Sequence, residues 1–172
     1  LTELFPELPE VIYPGGDNAL DRLYETAKAE LRKVDMSMIS PIDSVNVLAS
    51  HHGFTLLGGQ PYAILLKAIR DVVHEKTGTD NIRLRAGVGM RFRETEEYIK
   101  RYELDKYYGP GKTKGVAPVD EGIPIETEVG TLYGIKAVYD ADWIIHAHHT
   151  DVREVHFHRQ IDKAVKPFGM SY

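Results

Sequence analysis

Three short polar segments each follow a predicted strand, and two of them are rich in histidine. They are Ser50-His51-His52-Gly53, the segment from Gly87 to Arg93, and His146-Ala147-His148-His149-Thr150. Histidine can accept or donate a proton, or bind a metal ion, near neutral pH. Ligands of open α/β sheets bind beyond the carboxyl ends of the strands. The placement of these segments therefore predicts a functional site at one edge of a sheet.

Two His-x-His pairs, His146/His148 and His156/His158, are candidate metal ligands. Side chains two residues apart share a face in a strand, whereas on a helix they diverge by about 200°. The first pair fits the end of a strand, and the second lies in a predicted helix. With a carboxylate, these four residues would suit zinc or another divalent ion. This interpretation predicts a divalent-metal hydrolase, and it stays open beside the one developed below.

The elements that must position these segments alternate between strands and helices. Apolar residues at helical spacing predict the helices, and Pro61 suits the first turn of the second one. Residues 82–86 alternate Ile, Leu and Ala with Arg, as a strand does. The predicted strands are 45–49, 82–86, 123–129, 132–138 and 142–146; the predicted helices are 18–33, 62–75, 95–102 and 151–165; and 103–122 is predicted as a long loop. This order indicates an α/β fold with a mainly parallel sheet, helices on both faces, and the site at the strand carboxyl ends.

Composition narrows the classes of protein and of partner. The 172 residues carry a formal net charge of −5 and include no cysteine, which excludes thiolate catalysis and thiolate metal sites. The acidic balance argues against nucleic acid as a partner, because phosphate contacts need clustered Lys and Arg. The longest uninterrupted apolar run, residues 62–66, is far too short to cross a membrane. With an acidic, proline-containing N-terminus that does not resemble a signal peptide, we expect a cytoplasmic protein.

The length corresponds to one domain. We interpret residues 1–172 as a single α/β domain that begins with an extended arm, 1–16, and that leaves room for a further C-terminal domain. The oligomeric state is open at this stage.

Three motifs carry a resemblance to a known family. The stretch Gly89-Met90-Arg91-Phe92-Arg93-Glu94-Thr95-Glu96-Glu97 follows a predicted strand, Val129-Gly130-Thr131 precedes Gly134, and Ala141-Asp142-Trp143-Ile144-Ile145 leads into the last strand. They are similar to the G-T-H-R-P-x-T-E-E, G-T-x-x-G and A-D-x-x-I segments of the nickel-pincer lactate racemase family. From about residue 45 to 169, the order of elements resembles the N-terminal domain of that family.

The resemblance implies a racemase or epimerase, an isomerase that acts on a small 2-hydroxy acid or sugar acid. In the family, two histidines form the acid/base pair, and a lysine carries the nickel-pincer nucleotide cofactor. By position, Lys163 corresponds to that lysine, whereas Arg91 and Arg153 stand where the family has its two histidines. The histidine that helps to hold nickel in the family would lie beyond residue 172.

Arginine stays protonated and so cannot replace a catalytic base, but it can bind a carboxylate through two parallel hydrogen bonds. We therefore expect Arg91 and Arg153, together with His51 and His52, to bind a small anionic substrate. Proton transfer is then assigned to three other histidines: His148, His149 and His156. A non-catalytic domain that captures carboxylates through the same arginines is the remaining alternative.

Overall fold

Four parallel strands form the centre of the computed structural model, which describes residues 16–50, 53–54, 59–87 and 92–147. The described strands are β1 Val45–Ser50, β2 Ile82–Gly87, β3 Thr113–Val116, β4 Gly122–Thr127, β5 Gly130–Ile135 and β6 Trp143–Ala147; the described helices are α1 Ala19–Leu31, α2 Gln60–Thr77, α3 Phe92–Arg101, α4 Leu104–Tyr108 and α5 Lys136–Tyr139. The sheet has the order β3-β2-β1-β6, and all neighbouring strands are parallel. Strands β4 and β5 form a separate antiparallel hairpin.

One face of the sheet, which we call the α2 face, is apolar in β1, β2 and β6. Alternate residues of the strands point to this face because side chains alternate along a strand. They pack in one buried cluster with the apolar side of α2, and α1 packs on α2 from outside. The buried strand residues of this face are Val45, Val47, Ala49, Ile82, Leu84, Ala86 and Ala147, and the partly buried Trp143 and Ile145 pack against them. Helix α2 has a proline in its first turn and is capped at its C-terminal end by Gly78, whose φ of 73° is left-handed and favours glycine.

The opposite face, which we call the α5 face, is partly polar. Leu48 and Val116 pack there against Ile135 and Val138, at the end of β5 and in the single turn of α5. The register places Asn46 beside Arg83 and Leu48 beside Arg85 and His146, so polar side chains share this face with the apolar ones. The predicted α/β fold with a mainly parallel sheet is confirmed, although the helix on this second face is only one turn long.

The prediction of a long loop over residues 103–122 is wrong for the central part of this range. This stretch contains the short helix α4 and the strand β3, which pairs with β2 and forms an edge of the sheet. Strand β3 is only four residues long and its sequence, Thr-Lys-Gly-Val, has no hydrophobic alternation. Its pairing therefore depends on the neighbouring strand rather than on a local pattern. No helix among the described residues is long and apolar enough to cross a membrane.

Candidate functional site

The carboxyl ends of β1, β2 and β6 lie at the same edge of the sheet. Ser50 pairs with Gly87, and Ala49 pairs with Ala147, so the three strands end within one residue of each other. The chain segments that follow these strands therefore leave from adjacent positions. The three polar segments singled out in the sequence start here.

The crevice between β1 and β6 is a topological switch point of the sheet. From β1 the chain crosses through α2, on one face, to β2. It reaches β6 on the other side of β1 after passing through α5, which packs on the opposite face. Connections that leave on opposite faces open a crevice outside the strand ends, and ligands of open α/β sheets bind in such crevices. The crevice at the carboxyl ends of β1 and β6 is therefore the candidate site.

A tyrosine hydroxyl joins the two strand ends at this crevice. Tyr62, in the first turn of α2, is fully buried and donates a hydrogen bond of 2.5 Å to the carbonyl oxygen of Ala147. The N–H of Ser50 donates to the same hydroxyl at 3.1 Å. Burial raises the pKa of Tyr62 to about 12, so the phenol remains a neutral hydrogen-bond donor at physiological pH.

Aromatic rings extend from Tyr62 along the α2 side of the crevice. Phe54 meets the Tyr62 ring edge-on, with centroids 5.0 Å apart and an interplanar angle of 85°. Phe54 also stacks on Tyr98 of α3, with centroids 5.1 Å apart. Gly59 lets Tyr102 join this group, because a Cβ at position 59 would lie 2.0 Å from the Tyr102 hydroxyl. The rings form an apolar wall that connects α2 and α3 beside the strand ends.

His146 is the one predicted site residue that the structure describes. It is half-buried, one residue before the end of β6, and its strand position pairs with Leu48 on the α5 face. All the other predicted site residues lie outside the described residues: His51, His52, Arg91, His148, His149, Arg153, His156, His158 and Lys163. Within the ranges that are described, no group of three His, Cys, Asp or Glu side chains lies close enough to hold a metal ion.

The α5 face carries a buried cation in the same row as His146. Arg85 is 6% exposed, and its Nε donates to the carbonyl oxygen of Ala137 at 2.8 Å. Burial lowers the pKa of the Arg85 guanidinium, but arginine keeps its charge in proteins. The sequence showed the arginine alternation in β2 without indicating that this side chain would be buried.

A pocket of about 250 Å³ lies beside β3, at the end of the strand order opposite to β6. Glu96 and Asp105 contribute carboxylates to its lining, and Lys100 and Lys114 contribute ammonium groups. The charges balance, so this pocket has no evident preference for an anion. It belongs to the α3–α4–β3 corner rather than to the switch point.

Sequence reasoning missed Tyr62. Its signal was its place in the chain, directly after the proline that starts the helix following β1, because the first turn of such a helix lies near the strand carboxyl ends. The residue was instead interpreted as part of the apolar run of α2. Comparison of the chain with protein-family models, with curated proteins and with solved structures gives no match.

Proposed function

We propose that the β1–β6 crevice binds the carboxylate of a small 2-hydroxy acid or sugar acid, and that the chain is a racemase- or epimerase-like domain. One observation carries the proposal: β1, β2 and β6 end level, at a switch point, directly before the segments with His51-His52, Arg91 and His148-His149. Those segments contain the cations and the proton-transfer groups that such a substrate needs.

The electrostatics of the sheet support an anionic ligand. Arg85 adds a fixed positive charge to the α5 face. It lies two residues before Gly87, the last residue of β2. Arg85 Nε and Nη1 donate to the carbonyl oxygens of Leu84, Lys112 and Ala137, which carry no formal charge. Asp140 attracts the guanidinium electrostatically but makes no hydrogen bond to either nitrogen. In this proposal Arg91 and Arg153 bind the carboxylate directly, and one of His148, His149 and His156 exchanges the proton of the substrate hydroxyl.

The cofactor part of the proposal comes from the family resemblance. It assigns a nickel-pincer nucleotide to Lys163, which lies outside the described residues. When bound, such a group would supply an acceptor for the hydride of the substrate α-carbon. The chain's own residues would bind the carboxylate and exchange the hydroxyl proton. A cytoplasmic location belongs to the same proposal.

Calorimetry with D- and L-lactate tests the binding step. We expect Arg91→Ala and Arg153→Ala each to weaken lactate binding by about 1.5–3 kcal/mol, which is roughly a 10- to 150-fold rise in Kd. Arg22→Ala is the matched control, because Arg22 is exposed on α1. Lactate affinity that is unchanged in both site variants would contradict the proposal.

Two further measurements separate the alternatives. The protein is produced with and without cofactor-making enzymes, and its intact mass and its interconversion of D- and L-lactate are recorded. A Lys163-dependent mass increase with turnover supports the racemase, whereas lactate binding without either supports a carboxylate-binding domain. About one zinc ion per chain, lost in His148→Ala and His158→Ala, would instead support the metal hydrolase.

A further inference from the structure

We propose that Tyr62 is a positioning residue of this site: its hydroxyl fixes the β1 and β6 ends relative to each other and so sets the geometry of the crevice. The proposal deepens the proposed function and rests on it for the identity of the ligand. The geometric part stands on the contacts of Tyr62 alone.

The register of β1 and β6 shows which groups the hydroxyl joins. The N–H of Trp143 donates to the carbonyl of Ser44 at 3.0 Å, where the two strands start to pair. In a parallel ladder the bonds are evenly spaced, and each strand contributes every second residue. Two-residue steps from this bond lead to the N–H of Ser50 and the C=O of Ala147 as the last partners. These are the two groups that Tyr62 bonds.

The hydroxyl therefore acts where the ladder ends and the two functional segments begin. Ser50 immediately precedes His51, and Ala147 immediately precedes His148. A phenol held by a buried ring is a more rigid link than a water molecule, because its oxygen cannot leave. Tyr62 also belongs to α2, so the same hydrogen bonds fix the start of that helix against both strands.

The chain makes room for the ring at a second place. A Cβ at position 53 would lie 2.3 Å from the Tyr62 ring, so glycine at this position permits the close approach. Phe54 then packs against the edge of the ring. Residues 53 and 54 thus both pack on the Tyr62 ring, close to the strand end that its hydroxyl bonds.

Tyr62→Phe, compared with Tyr108→Phe, is the central experiment. Tyr108 is also buried, and its hydroxyl donates to a backbone carbonyl, that of Leu66, at 2.7 Å, but it lies in α4. We expect both variants to lower the melting temperature to a similar extent. We expect only Tyr62→Phe to weaken lactate binding, by about tenfold, the equivalent of one hydrogen bond.

Histidine side-chain NMR signals provide a readout that needs no ligand. In Tyr62→Phe, we expect the signals of His51, His52, His148 and His149 to shift, while that of His74, near the far end of α2, stays in place. Tyr108→Phe should leave all of these signals unchanged. Gly53→Ala serves as a second variant if Tyr62→Phe does not fold, because it displaces the ring and keeps the hydroxyl.

The outcomes separate the two proposals. Wild-type protein that binds no lactate, together with histidine shifts in Tyr62→Phe only, would overturn the proposed function and support the positioning role. Lactate binding and histidine signals that are both unchanged in Tyr62→Phe would overturn the positioning role and leave the function standing. Equal histidine shifts in Tyr62→Phe and Tyr108→Phe would also overturn it, since they would indicate a general loss of packing.

Discussion

The two faces of the sheet are stabilised by different kinds of interaction. On the α2 face, apolar side chains such as Val47 and Leu84 are completely buried against a helix of 18 residues. On the α5 face, Asn46 and Arg85 are buried in the same strands beside a helix of four residues. Asn46 is as completely buried as Val47 and Leu84. The first face needs only volume and hydrophobicity, whereas the second needs particular hydrogen-bond partners.

The polar contacts of the α5 face explain how it tolerates burial. The Nδ2 of Asn46 donates to the carbonyl oxygen of Val138 at 2.7 Å, and Arg85 Nε donates to that of Ala137. Buried polar groups cost free energy unless they are hydrogen-bonded. Because the acceptors are main-chain carbonyls of α5, the polar side chains hold this short helix against the sheet together with the packing of Val138 on Leu48.

The largest effect should come from making a cavity on the α2 face. Leu84→Ala should lower the free energy of unfolding by about 2–5 kcal/mol, through lost apolar burial and the remaining cavity. Chemical denaturation measures this loss. The control is Leu132→Ala, at a side chain that is 56% exposed, which should change stability by less than about 0.5 kcal/mol. Equal losses at both positions would refute the assignment of Leu84 to the core.

The second-largest loss of stability is expected at a polar cluster that joins α1, α2 and α4. The Asp71 carboxylate accepts hydrogen bonds from the hydroxyls of Tyr24 and Tyr107, and from Arg70 Nη1 at 2.9 Å. Burial alone would raise the pKa of Asp71, but these hydrogen bonds outweigh it and lower the pKa below its usual 3.8. Asp71→Asn should therefore cost about 1.5–3 kcal/mol at neutral pH.

The same carboxylate predicts a pH dependence. Since the pKa of Asp71 is lower in the folded state, its contribution is present above pH 3.8 and is lost as the pH falls through the folded-state pKa. The stability difference between the wild type and Asp71→Asn should shrink as the pH falls below about 4. Denaturation midpoints measured from pH 7 to pH 3 test this, and a constant difference would contradict it.

On the α5 face, Asn46→Ala should cost about 1–3 kcal/mol, because the Val138 carbonyl loses its donor in a buried position. Asn81→Ala is the control, since Asn81 is exposed just before β2. A sharper comparison is hydrogen exchange in α5, which should increase in Asn46→Ala and stay unchanged in Leu84→Ala. The reverse pattern would show that packing rather than hydrogen bonding holds α5.

The smallest effect is expected from a substitution that preserves volume. Leu84→Met should cost less than about 1.5 kcal/mol, because the α2 face needs an apolar side chain of the right size but no directed bond. The same denaturation measurement applies. A loss larger than that of Asn46→Ala would contradict the distinction between the two faces.

The sequence predicted the elements that pack through apolar side chains better than those that depend on hydrogen bonds to distant residues. Helix α2, β1 and β2 were predicted because their burial produces regular apolar patterns. The hairpin was predicted as strands 123–129 and 132–138, but residues 136–138 belong to α5. Strand β3 was missed because its pairing comes from β2. The burial of Arg85 could not be anticipated, since its acceptor at Ala137 lies 52 residues away.

For the candidate site, the sequence pattern predicted where the strands end, but not the hydrogen bonds of Tyr62 that connect the ends of β1 and β6. The alignment of β1 and β6 depends on contacts over a long sequence separation, which no local pattern encodes. Tyr62 was noted only as the first residue of the apolar run 62–66, because only the fold shows what its hydroxyl reaches.

The position of β6 has a consequence for the order of folding. Its start is fixed by the Ser44 hydroxyl, which donates to Asp142 at 2.7 Å across 98 residues. Closing so long a loop is entropically costly, and contacts of large sequence separation form late. We expect β1, β2 and β3 to assemble first, so that the crevice forms only when β6 docks. Pulse-labelling hydrogen exchange during refolding would detect this order as late protection of the Ile145 and Ala147 amides. Protection of β2 and β6 at the same time would contradict the proposed order.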